Sequence, residues 1–218
     1  MDTATLISKV IDTYDHVSGA DSDNSARQAK ILQYAQEVVE EVWYHREWAW
    51  RYKASSIAVS GNGADLPGDF HSFGENGGLY TQTGYKLQEN HGALVFGESY
   101  SDNSSYPIFA IYGQNEITGA KSLFVSSGQD LTLDIAYLRV APTLVNDYFD
   151  NGQLQFIPVA YHNTVILPGV VYKLKHQQEG EDQRDWYMRY QQGLSRMAAM
   201  ERDLKTAVQQ IPLTVAMW

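Results

Sequence analysis

Two apolar stripes at helical spacing, set on either side of a long stretch where that spacing vanishes, constrain this chain more than any other feature. The first runs through Ile31, Ala35, Val38 and Val42, with His45 and Ala49 extending it. The second runs through Trp186, Tyr190, Gly193, Met197, Met200, Leu204 and Val208. Steps of three and four residues keep a stripe on one side of an α-helix, and such a side must be buried against a partner. The first stripe predicts a helix over residues 25–52, free of Gly and Pro and roughly 40 Å long at 1.5 Å per residue. The second predicts a helix over residues 182–210, close to a heptad seam and closed by Pro212. Leu6, Val10 and Tyr14, joined by Ile7 and Ile11, predict a further helix over residues 3–16. A fourth is predicted over residues 154–176, with Pro158 at its first turn and a kink or break at Pro168-Gly169. The first long helix ends in Trp43, Tyr44, Trp48, Trp50 and Tyr52. Such a cluster is either a hydrophobic plug where the helices meet the next lobe or a protein-protein contact.

Between these helices the texture is that of strands: short apolar or alternating runs bounded by Gly, Asn, Asp and Ser. Strands are expected at residues 56–59, 79–82, 85–88, 93–96, 108–112, 116–118, 122–125 and 131–140. In the last, Leu131, Leu133, Ile135 and Tyr137 alternate with Thr132, Asp134, Ala136 and Leu138. Gln82-Thr83-Gly84 and Gly113-Gln114 read as hairpin turns, and Gly61-Asn62-Gly63 as a loop. The expected fold is therefore α+β: an antiparallel bundle of about four helices carrying an inserted antiparallel β lobe, a small sandwich or barrel. Residues 1–53 and 142–211 form the bundle, residues 54–141 the lobe, and residues 212–218 a C-terminal tail.

Charge narrows the partners. The net charge is −10, which disfavours binding to a nucleic-acid backbone. The middle of the chain is the most one-sided: from Ala54 to Val140 there are nine acidic residues against Lys86, Lys121 and Arg139. This is a solvated surface, or one past which a polyanion slides without sticking. There is no cysteine, which excludes disulfides and thiolate-metal sites. The N-terminus lacks the basic and apolar regions of a signal peptide, and no apolar run approaches the roughly 20 residues of a membrane span. A soluble product of the cytoplasm is expected.

A search for chemistry leaves no catalytic, cofactor-binding or metal-binding residue. The histidines His16, His45, His71, His91, His162 and His176 form no HxxxH or HxH spacing. Asp69 with His71 is a two-residue pair without a third member. The carboxylate pairs Glu40/Glu41, Asp147/Asp150 and Asp182/Asp185 sit where solvated charges normally sit. No phosphate-binding or nucleophile-elbow motif is present. Leu66-Pro67-Gly68-Asp69-Phe70 is the most distinctive short string. Pro67 fixes φ, Gly68 permits a tight turn and Asp69 can accept backbone hydrogen bonds, so Leu66 and Phe70 can both point inward. The string reads as a structural corner joining the bundle to the lobe.

The order of these segments is informative. A Trp-rich helix end (Trp43 to Trp50) precedes the Leu66-to-Phe70 corner. Then come Tyr106-Pro107-Ile108-Phe109-Ala110-Ile111-Tyr112, the strand Leu131 to Tyr137, and Ile157-Pro158-Val159-Ala160-Tyr161-His162 opening a helix. Over residues 25–205 this order resembles the head-to-tail adaptor (connector) proteins of tailed bacteriophages and the related tail-tube gatekeepers of short-tailed phages. The Pro168-Gly169 interruption departs from the family pattern. The resemblance implies a non-enzymatic protein of the virion, made in the host cytoplasm, in a ring commonly of twelve subunits docked beneath the portal. It implies that the C-terminal segment reaches the portal, that the lobe faces a tail, nozzle or stopper protein, and that double-stranded DNA passes through without specific binding. Leu213, Val215, Met217 and Trp218 make that segment apolar, suited to portal binding or to folding back on the bundle. Two other readings compete. The Tyr- and Trp-rich lobe and the carboxylate pairs suit a carbohydrate-binding or carbohydrate-active protein. A tail-tube or stopper component would have the same fold and a different neighbour.

Overall fold

Helices occupy both ends of the chain and strands its middle, in a computed structural model that describes residues 1–18, 25–90, 107–114, 119–127, 129–145, 154–176 and 182–209. The described residues hold four α-helices and two sheets, so the chain is α+β. They divide into a helical unit, Met1–Trp50 with Ala141–Trp218, and a sheet unit, Arg51–Val140.

The helical unit contains α1 (Thr3–Ser18), α2 (Ser25–Tyr44), α3 (Leu167–His176) and α4 (Asp182–Gln209). Its core takes Leu6, Ile7, Val10 and Ile11 from α1, and Ile31, Ala35, Val38, Val39 and Val42 from α2. Val170 and Val171 of α3 and Tyr190, Leu194 and Met197 of α4 complete it. Each such side chain contributes on the order of 2 kcal/mol by leaving water. Tyr172 stacks against Tyr187 and His176 meets Gln183, so α3 and α4 run antiparallel. Glu41 of α2 accepts from the Tyr190 hydroxyl of α4, and in the segment after α2 Arg46 donates to the Ala198 carbonyl and the Ala49 N–H to Glu201. Lys173 of α3 spans Glu37 at 3.1 Å and Glu41 at 2.6 Å on α2.

Three helical expectations are corrected. The first long helix stops at Tyr44, not Tyr52; His45 and Ala49 are exposed, and a 3-10 turn at Ala49–Arg51 leads directly into a strand. The cause is a side-chain contact at the helix end: the Trp48 indole N–H donates to the Val42 carbonyl at 2.6 Å, and folding back to reach it ends the helix. The helix expected from residue 154 is a series of short pieces: 3-10 turns at Leu154–Phe156 and Val159–Tyr161, a π turn at His162–Ile166, then α3. Pro168 supplies no N–H to the Thr164 carbonyl four residues earlier, so an α ladder cannot run through it. It sits instead in the first turn of α3, where its N–H is not needed. Third, Met200 is exposed and the buried stripe of α4 passes through Glu201.

The sheet unit turns on one strand. β1 (Tyr52–Val59) pairs along the length of β8 (Leu131–Arg139), while β3 (Phe70–Ser72) and β4 (Gly78–Thr81) share the other edge of β8. The second sheet runs β2 (Gly63–Asp65), β7 (Lys121–Val125), β6 (Ile108–Gln114) and β5 (Gln88–Glu89). Leu133, Ile135 and Tyr137 of β8 are buried as the alternation predicts, in one cluster with Leu79, Phe109, Leu123 and Val125. Residues of both sheets thus share one core.

The lobe is not wholly antiparallel, because β5 pairs β6 in parallel. A parallel pair needs a long connection, and the residues between Glu89 and Ile108 supply one. β2 and β3 are short strands that the alternation does not predict. Gly113 makes no turn. At φ +54° it accompanies the register shift between Tyr112 and Gln114, a bulge within β6. The strands expected at residues 93–96 and 116–118 lie outside the described residues.

Candidate functional site

The corner string lies within the sheet unit, between β2 and β3. The Leu66 N–H donates to the Lys121 carbonyl at 2.9 Å, and the Phe70 N–H to the Pro67 carbonyl at 2.9 Å, closing the turn. Leu66 and Phe70 are both buried in the lobe core; the Phe70 ring lies 5.6 Å from Tyr137 and 5.1 Å from Phe73. Asp69 is the hub. Its Oδ1 accepts from the Tyr137 hydroxyl at 2.6 Å, its Oδ2 from Lys53 Nζ at 2.9 Å, and its carbonyl from the Val140 N–H at 2.9 Å. The corner therefore clamps β8 and the residue that follows it out of the lobe.

Burial pushes the Asp69 carboxyl up, but the hydrogen bonds from Tyr137 and Lys53 and the Lys53 charge outweigh it and hold the pKa below the ordinary value. The Tyr137 hydroxyl is pushed well up, first by burial and then by the carboxylate it faces. An Asp69→Ala variant leaves a buried Tyr137 hydroxyl without its acceptor, and a loss of about 2 kcal/mol at pH 7 is expected. Because the folded-state pKa is depressed, this stabilisation is present above the unfolded value of about 4 and is lost as pH falls through the folded value. Urea midpoints of the two proteins should therefore draw closer as pH falls below the unfolded value of about 4.

A second constellation lies in the helical unit, where the sequence displays only aromatic density. Trp43 meets Trp50 edge-on at 4.9 Å, and Trp48 stacks on Trp50 at 6.1 Å and on His45 at 6.1 Å. The Arg46 guanidinium lies 5.1 Å from the Trp48 ring and donates to the Ala198 carbonyl. Glu201, buried at 5% exposure, accepts the Ala49 N–H at 2.5 Å and fastens α4 to the segment that enters the lobe. Its position four residues after Met197 was the one signal in the sequence that could have revealed it.

The residues with catalytic potential are otherwise engaged. Asp69 serves Tyr137 and Lys53. Glu40 accepts from Gln36 at 2.6 Å, and Glu41 from Lys173 and Tyr190. His162 is fully buried, with Nε2 between the Leu154 carbonyl at 2.9 Å and the Ile157 carbonyl at 2.8 Å, so that nitrogen carries the proton. Burial draws its pKa down and keeps the ring neutral. Among the described residues no group of His, Asp and Glu could hold a metal ion, and no helix is long and apolar enough to cross a membrane. Asp147 and Asp150 lie outside the described residues, as do Leu213, Val215, Met217 and Trp218.

No curated protein matches the chain. A family model described as SU10 adaptor protein matches residues 1–211, a span that takes in the corner, the tryptophan cluster and the helices on both sides of the lobe. The chain therefore belongs to the SU10 adaptor protein family and is a structural head-to-tail adaptor of a bacteriophage.

Proposed function

We propose that the protein forms a ring, of twelve copies, seated between the portal and the tail machinery of the virion and continuing the DNA channel. The observation that carries this reading is the family match across residues 1–211. In this reading the four helices form an antiparallel bundle and the two sheets a sandwich. The bundle is the helical unit, the lobe the sheet unit, and residues 212–218 the tail. The kinship extends to the tail-tube gatekeepers of short-tailed phages. The lobe faces a tail, nozzle or stopper protein.

The acidic excess of the lobe supports a duct through which DNA passes without binding, since like charge keeps a polyanion from adhering. The Leu213, Val215, Met217 and Trp218 side chains supply the portal contact, because a short apolar segment ending in Trp is the kind of anchor that dominates an interface. Removing residues 213–218 is expected to abolish portal binding while leaving the melting temperature unchanged. Portal affinity of the truncated chain equal to that of the full chain would remove the tail from this reading.

A further inference from the structure

We infer that α2 and α4 carry the two halves of a head-to-tail contact with a second copy of the chain. This rests on the ring reading above and specifies which surfaces meet. The C-terminal half of α2 turns Glu37, Glu40 and Tyr44 away from the core, with Glu40 exposed and Tyr44 47% exposed, its hydroxyl accepting from the Ala141 N–H at 3.1 Å. Lys173 is shared between Glu37 and Glu41, one ammonium for two carboxylates, and Glu40 takes its hydrogen bond from the neutral Gln36 amide. This half of the helix is therefore acidic; its own basic residues, Arg27 and Lys30, lie in the other half.

The exposed side of α4 has the opposite character. Arg184, Arg189 and Arg196 are exposed there, the Arg189 guanidinium lying 4.7 Å from the Trp186 ring of its own helix, with the exposed acid Asp185 and the 48% exposed Met188 in their midst. Met188 and Gln192 lie about half a helical turn away from Tyr190, the residue whose hydroxyl reaches α2 of the same copy. The face centred on them points away from that α2. One flank thus offers carboxylates around an exposed Tyr, the other guanidiniums around an exposed Met. Each repels itself and suits the other, which favours a heterologous contact over a two-fold one.

The levels of these groups agree with closure. Within one copy Glu41 of α2 is level with Tyr190 of α4. A ring that preserves height from one copy to the next then brings Glu40 of one copy to Arg189 of the next, each one residue before that contact.

The absence of cysteine makes the test clean. Glu40→Cys and Arg189→Cys chains are prepared separately, mixed, and treated with a short bismaleimide, with and without added portal protein. The native mass of the wild-type chain is measured in parallel. The mixture is expected to give cross-linked pairs about tenfold above either variant alone. Glu40→Arg should weaken assembly by a similar factor, and Arg189→Glu in the same chain should restore it. If the wild type assembles but the mixture cross-links no better than the single variants, this interface is wrong and the ring stands. If the wild type stays monomeric under both conditions and nothing cross-links, the interface and the ring fall together.

Discussion

A Gly193→Ala variant is expected to lose about 3 kcal/mol of stability and to melt about 10 °C lower, read by circular dichroism or calorimetry. The direction is informative, because in an open helix the same change is favourable by about 1 kcal/mol. At Gly193 the added Cβ would stand 2.1 Å from the Thr164 carbonyl oxygen and 3.1 Å from Val165. The oxygen is backbone, fixed in the π turn, and cannot swing aside as a side chain would. Packing therefore overrides helix propensity, and α4 must move off the π turn. Gly169→Ala should cost less, since its nearest neighbours are the Val38 methyl at 2.8 Å and the Tyr190 ring at 3.0 Å, which can give. Gly68, with nothing within 4 Å of where an added Cβ would stand, is the control, and its alanine variant should stay within about 0.5 kcal/mol of wild type. A neutral Gly193→Ala would mean that α4 does not approach the π turn this closely.

Trp48→Ala should be the most damaging single change in the helical unit, at about 4 kcal/mol. Trp48 is fully buried, so its removal opens a cavity beneath Trp50 and deprives the Arg46 guanidinium of its ring. It also takes from the Val42 carbonyl the N–H that it accepts at the end of α2. Trp48→Phe separates these contributions: it keeps most of the apolar area and loses the donor, so about 1 to 2 kcal/mol is expected. Urea midpoints of the three proteins measure the order. Equal losses in the two variants would show that the hydrogen bond, not the packing, holds this end of the helix.

The stripes of the sequence named segments that are helical and, among the described side chains, much of what those helices bury. Ile31, Ala35, Val38 and Val42 are buried on α2, and Tyr190, Gly193 and Met197 on α4. The alternation of β8 was equally legible, with Leu133, Ile135 and Tyr137 inward. Both patterns are local: they repeat within one element and require only that one side be buried. The turn at Leu66 to Phe70 is local too, since Pro67, Gly68 and Asp69 favour it by their own backbone preferences, but its place between β2 and β3, within the lobe and not at a junction of bundle and lobe, was not legible.

Where those patterns stop depended on side-chain contacts that no period records. Helix α2 has residues after Tyr44 that could continue it, and it ends because Trp48, six residues beyond Val42, folds back onto that carbonyl. The buried side of α4 passes through Glu201 and not the expected Met200, where the Ala49 N–H arrives from 152 residues earlier in the chain. The π turn reflects the Thr164 carbonyl that Pro168 cannot serve, with Gly193 of another helix lying over it. The parallel pairing of β5 with β6 was likewise hidden, because two-residue contacts carry no period. Residue type and spacing decided by themselves which segments would be helix or strand and which sides would avoid water. Only the tertiary structure decided the polar fastenings and the strand pairings, because those depend on atoms brought together from remote parts of the chain, whereas the interruption before Pro168 was legible from Pro168 itself.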